Sequence, residues 1–136
     1  MAVDKLICIE DDGSLSFGNH TLAEKAKLED FPYEGNLMKV KTFKTMTKLE
    51  KNGSFMYESV PGTSVYGFKE TAEGISFTVE GTADEDAQIT LGLEEDKEYE
   101  IIISGSSAGK VKTNMGGKLN FSVDLSSGAA KVEIRK

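Results

Sequence analysis

Between Tyr99 and Ile134 the chain alternates apolar and polar residues in short runs, and each run ends in a cluster rich in glycine, serine or asparagine. Tyr99, Ile101 and Ile103 share one face with Glu100 and Ile102 between them, and Ser104 to Gly109 reads as the turn that follows. Lys110-Val111-Lys112 opens another strand, closed by Asn114-Met115-Gly116-Gly117. Leu119, Phe121, Val123 and Leu125 then alternate with Asn120, Ser122 and Asp124, and Val132 and Ile134 complete the pattern. A period of two between turn-forming clusters predicts antiparallel strands.

The remainder follows the same rhythm. Lys5 to Ile9 and Ser14 to Phe17 flank Glu10-Asp11-Asp12-Gly13, a hairpin with Asp-Gly at its tip. Thr21-Leu22-Ala23-Glu24 matches a capping box, so residues 21–29 are the one place where a short helix is expected. From Leu37 to Leu49 the pattern fits one long strand or two short ones, with Met38, Val40 and Thr42 on one face, Lys39 and Lys41 on the other, and a phase break at Phe43-Lys44 that suggests a bulge. Asn52-Gly53 predicts a turn before a strand over Ser54 to Ser59, and Val60-Pro61-Gly62-Thr63 fits a type II turn. Val65 to Phe68, Ile75 to Val79 and Ala87 to Leu93 supply the middle strands. About ten to twelve short strands without a linker predict an all-β chain, an antiparallel β-sandwich or barrel of jelly-roll-like character, folding as one domain over residues 1–136.

Composition narrows the partners. The 136 residues carry a net charge of −7, which disfavours nucleic acid and anionic lipid, both polyanions. No stretch is apolar enough to span a membrane, and the N-terminus lacks the features of a signal peptide, so a cytoplasmic protein is expected. Cys8 is the single cysteine and cannot form an internal disulfide; its apolar neighbours, Leu6, Ile7 and Ile9, suggest a buried thiol.

No motif in the chain brings its own chemistry. Ser104 to Val111 has the look of a phosphate loop, but the glycines are one residue too close and Val111 stands where a metal-holding hydroxyl belongs, so a hairpin is expected instead. His20 is the only histidine, reads as a surface loop residue, and defines no Ser-His-Asp arrangement. The acidic clusters Glu10-Asp11-Asp12, Asp84-Glu85-Asp86 and Glu94-Glu95-Asp96 lack the spacing of a calcium loop, and no metal or cofactor is expected. Lys39, Lys41, Lys44, Lys48 and Lys51 are dense for an acidic chain. Lys39 and Lys41 either meet an anionic ligand such as an acidic glycan or guard the solvent side of an edge strand against aggregation. Phe55, Phe77, Tyr99 and Phe121 fall in the phases of a core, whereas Tyr33, Tyr57 and Tyr66 are candidates for an exposed platform that stacks on a sugar.

Several stretches, Val40-Lys41-Thr42-Phe43, Thr47 to Gly53, Tyr57 to Thr63, Ala87 to Leu91 and Lys112 to Leu119, together resemble a family of short acidic proteins of clostridial gut bacteria that carry the label endosialidase. That resemblance implies hydrolysis of sialic-acid polymers, with no active-site residues to carry over. Tyr99 to Val123 is also similar to β-sandwich domains appended to polysaccharide-degrading enzymes, which implies binding or scaffolding. The expected function is a non-catalytic module that binds a glycan or a protein partner. The alternatives are a structural or self-associating protein, with a homo-oligomer, and the hydrolase.

Overall fold

A computed structural model describes residues 5–82 and 86–136, so Asp84 and Glu85 of the second acidic cluster lie outside the described residues. The described residues are all-β and form strands β1 (Ile7–Ile9), β2 (Leu15–Phe17), β3 (Ala26–Tyr33), β4 (Asn36–Thr42), β5 (Thr47–Lys51), β6 (Ser54–Val60), β7 (Ser64–Thr71), β8 (Gly74–Glu80), β9 (Ala87–Gly92), β10 (Glu98–Ile103), β11 (Ser106–Lys112), β12 (Lys118–Val123) and β13 (Ala129–Arg135). They make two antiparallel sheets, a seven-stranded one in the order β1-β2-β7-β8-β13-β10-β11 and a six-stranded one in the order β12-β9-β6-β5-β4-β3. Two packed sheets with free edges make a sandwich, not a closed barrel. The jelly-roll likeness goes no further than the two layers: β3 through β6 run as a meander and β1-β2, β7-β8 and β10-β11 are hairpins.

Turn chemistry explains the hairpins. Glu34-Gly35, Asn52-Gly53 and Ser104-Gly105 each place two successive residues at positive φ, between 50° and 83°, the backbone that lets a two-residue loop follow the strand twist. Ser104-Gly105 alone therefore makes the turn expected over Ser104 to Gly109, and Ser106 already belongs to β11.

Three other local expectations give way to tertiary pairing. Residues 21–29 form no helix: the Thr21 amide and hydroxyl both bond Asn19 Oδ1, and from Ala26 the chain pairs with β4. The phase break at Phe43 is a chain reversal, not a bulge, since Phe43 and Met46 exchange backbone hydrogen bonds and Thr42 pairs with Thr47. The Val60-Pro61 bond is cis and Gly62 does not have the positive φ that a type II turn requires. Glycine serves close approach there, because a Cβ at Gly62 would lie 1.9 Å from Phe43 O.

Between the sheets lies one apolar core. Phe17, Tyr57, Phe68 and Phe77 form its aromatic centre, Phe17 and Tyr57 meeting edge to face with ring centroids 5.3 Å apart. A buried polar chain crosses this layer. Asn19 N donates to Thr42 Oγ1 (2.8 Å), Thr42 Oγ1 lies 2.8 Å from Thr47 Oγ1, and Thr47 Oγ1 donates to Thr63 O (2.7 Å) while accepting from Thr63 N. Thr47 has one proton and gives it to Thr63 O, so Thr42 is the donor to Thr47. Thr63 Oγ1 continues to Tyr57 Oη (2.8 Å) and Ser59 Oγ (2.6 Å). Among the described residues no buried side-chain polar atom lacks a partner, so this chain stitches three loops together without an unsatisfied group.

Candidate functional site

Cross-strand register gathers the lysines on the outer face of the six-stranded sheet. Lys27 on β3 pairs with Lys41 on β4, Lys41 with Lys48 on β5, Lys48 with Glu58 on β6, Glu58 with Thr90 on β9, and Thr90 with Asn120 on β12. One row thus crosses all six strands, cationic over β3 to β5, acidic at Glu58 on β6 and polar over β9 and β12. Like charges directly opposite one another oppose sheet formation. Lys27 is offset by Glu29 at 3.1 Å; among the described residues neither Lys41 nor Lys48 has an ion pair. The edge-guard reading of these lysines does not hold, because β4 and β5 are interior strands.

Beside the row sits an aromatic ring. Phe55, assigned to the core by its phase, lies on the outer face, with Lys118 Nζ 4.8 Å and Lys48 Nζ 5.9 Å from its centroid. Tyr57, two residues on and assigned to an exposed platform, is fully buried. The reason is a shift of register in β6: Leu49 pairs with Tyr57 but Glu50 pairs with Phe55, which leaves Met56 as an extra residue and sends Phe55 and Tyr57 to opposite faces. The displaced backbone occupies space next door, since a Cβ at Gly92 would lie 2.1 Å from Phe55 O. Gly92 on β9 is the sequence sign of this bulge, as isolated glycine in a strand pattern marks a bulge or a close backbone approach. Thr90 Oγ1 to Asn120 Oδ1 (2.6 Å) and Ser122 Oγ to Gln88 Oε1 (2.8 Å) add a polar strip along β9 and β12.

The five residues singled out from sequence do not converge. Lys41 is in the cationic row. Lys39 shares its face but is neutralised, 3.6 Å from Glu29 and in register with Glu50, and it lines an open groove of about 530 Å³ with Glu29 and Asp30. Lys27 and Lys39 together hold the Glu29 carboxyl below its usual range, the hydrogen bond from Lys27 most strongly. Tyr33 lies at the end of the sandwich, donates to Gly13 O (2.8 Å) and lines a cleft of about 60 Å³, far below the volume of a small-molecule site. Tyr57 is in the core, where burial raises its hydroxyl's pKa. Tyr66 is on the other sheet, with its hydroxyl 3.4 Å from Glu80 Oε1.

Two features reach beyond the sequence reading. Cys8 is half-buried where full burial was expected, because β1 is an edge strand and only Ile7 of the pair faces the core; desolvation, with Glu10 second, raises the thiol's pKa. His20 is half-buried too, with Nδ1 2.7 Å from Ser64 Oγ. That pair resembles a base and nucleophile, yet Ser64 has 0% exposure and no substrate could reach its hydroxyl. Ser64 Oγ also accepts the His20 backbone N–H at 3.3 Å, so its proton is available to a neutral imidazole.

Burial lowers the pKa of His20. A folded pKa below the unfolded one means that the unfolded chain binds the proton first, so stability contributed by neutral His20 is present above the unfolded value near pH 6.5 and declines as pH falls through it. Stability measured by urea titration is expected to fall between pH 7 and 5 in the parent chain. In His20→Gln the dependence in this window should flatten; an unchanged slope would assign it to other groups. Losses from Asp12, Glu29 and Asp124, whose pKa values are also lowered, fall at more acidic pH.

Fold and face together define a β-sandwich with a cationic, aromatic-bearing sheet surface on an acidic chain. No protein-family model, curated protein or solved structure matches it. Among the described residues no helix is long and apolar enough to cross a membrane, and no three His, Cys, Asp or Glu side chains gather into a metal-holding group.

Proposed function

We propose that the chain is a non-catalytic binding module that takes an anionic glycan on the outer face of its six-stranded sheet. The observation that carries this reading is the lysine row Lys27, Lys41 and Lys48, running up to a phenylalanine ring that Lys48 and Lys118 flank. A sugar ring has an apolar C–H face that stacks on Phe55, its carboxylate or sulfate meets the ammonium groups, and Thr90 and Asn120 supply hydrogen bonds to hydroxyls. Lysine suits this role as a mobile point charge on a long stem, and Arg135 is the only arginine in the chain.

Titration calorimetry at low salt tests the reading with polysialic acid, polygalacturonate and neutral dextran. Polysialic acid is included because the resemblance to chains labelled endosialidase implies it. The acidic polymers are expected to bind and to weaken as salt screens the face, whereas dextran is not. Lys41→Glu combined with Lys48→Glu alters the face by four charges. At about 0.5 kcal/mol per exposed charge this is about 2 kcal/mol, a loss on the order of thirtyfold. Binding that is insensitive to both salt and charge reversal, or absent for every acidic polymer, would overturn the proposal. A self-associating role rests on a separate feature, the free edge of β12.

A further inference from the structure

Each sheet has two edges, and exposed edges invite pairing with another chain unless something blunts them. Three of the four are blunted. β1 is three residues long; β3 has a register shift between Leu28 and Phe31 and contains Pro32; β11 has a register shift at Ala108 and bears Lys110 and Lys112. The fourth, β12, pairs with β9 over Lys118 to Val123 with no shift, contains no proline, and has no strand on its other side among the described residues.

The sequence of this edge is self-complementary. Lys118-Leu119-Asn120-Phe121-Ser122-Val123-Asp124 has matching chemistry on either side of Phe121. An antiparallel copy of the strand, related by a two-fold axis at Phe121, sets Lys118 opposite Asp124, Leu119 opposite Val123, Asn120 opposite Ser122, and Phe121 opposite itself. Each opposition is favourable on its own terms: opposite charge, aliphatic with aliphatic, amide with hydroxyl, ring with ring. Lys118, Asn120 and Ser122 are exposed while Phe121 packs on the core only in part, so its open side is free for its counterpart. Asp124, the residue just past the end of β12, accepts the Ser126 backbone N–H (2.8 Å) and bonds the Ser126 side chain, and its carboxylate is exposed to an incoming ammonium group.

We propose that β12 is an interface for a second copy of this chain, joined antiparallel about Phe121 so that two six-stranded sheets become one of twelve strands. A two-fold operator uses the same patch on both subunits, and the matching halves of β12 meet that condition. One seven-residue pairing buries far less than the roughly 1,200–2,000 Å² of a stable interface, so the association is weak and depends on concentration.

Sedimentation equilibrium from micromolar to millimolar protein provides the test. The parent chain is expected to move from monomer to dimer. Lys118→Asp and Asp124→Lys each place like charges opposite one another twice across the axis, and each should remain monomeric. The double reversal Lys118→Asp with Asp124→Lys restores opposite charges and should restore the dimer. Circular dichroism confirms that each variant is folded. A parent chain monomeric at millimolar concentration, a dimer untouched by the single reversals, or a folded double variant that stays monomeric would each overturn the proposal.

Discussion

Tyr57→Ala is expected to cost about 3–5 kcal/mol, the range for deleting a large aromatic ring from a packed core. Tyr57 has no exposed surface, its ring meets Phe17 and Phe77 edge to face, and its hydroxyl lies 2.8 Å from Thr63 Oγ1. Deletion therefore opens a cavity between two rings and also removes one end of the polar chain through Thr63. Domains are stable by only about 5–15 kcal/mol, so this substitution leaves a marginal fold. Tyr57→Phe separates the two contributions. It keeps the ring and leaves Thr63 Oγ1 with Ser59, so about 1 kcal/mol is expected. Urea denaturation of both variants checks the pair; equal losses would place the energy in the hydroxyl and contradict the packing account.

Gly92→Ala is the second large effect, expected at about 3 kcal/mol from overpacking. The obstruction is the Phe55 carbonyl, 2.1 Å from the new Cβ, and a backbone atom cannot swing aside as a side-chain tip can. To relieve it β6 must move relative to β9, and Phe55 moves with it. The same variant should therefore lose affinity for an acidic polymer, although it removes no lysine. Gly53→Ala is the control: its Cβ would meet nothing within 4 Å, and only its positive φ, 81°, opposes the change. A denaturation midpoint for Gly92→Ala close to that of Gly53→Ala would show that β6 accommodates the methyl group.

The strands were legible where period two and turn chemistry agreed. Asn52-Gly53, the Asp12-Gly13 tip and the alternating runs from Tyr99 to Ile103 and from Leu119 to Val123 behave as their residues predict, whereas Ser106 to Gly109, expected in a turn, belong to β11. Residues 21–29 misled because a capping box is a local signal, and pairing with β4 outweighs it. Phe55 and Tyr57 exchanged roles because one extra residue inverts every later face of a strand, and nothing in β6 itself announces it. The candidate site was legible only as a surplus of lysine. That Lys27 joins Lys41 and Lys48, and that Lys39 is cancelled by Glu29 and Glu50, depends on register across strands, which no single segment encodes. His20 meeting Ser64 is a contact across 44 positions and was invisible for the same reason.

Met56, the unpaired residue of β6, also links the histories of two strands. Loss of that one codon would make Phe55 and Tyr57 direct neighbours in a regular strand, still on opposite faces, and would withdraw the extra backbone that crowds Gly92. In any chain descended with this one, the extra residue of β6 and the glycine of β9 are therefore expected to come and go together, because the glycine makes room for the backbone that the extra residue displaces.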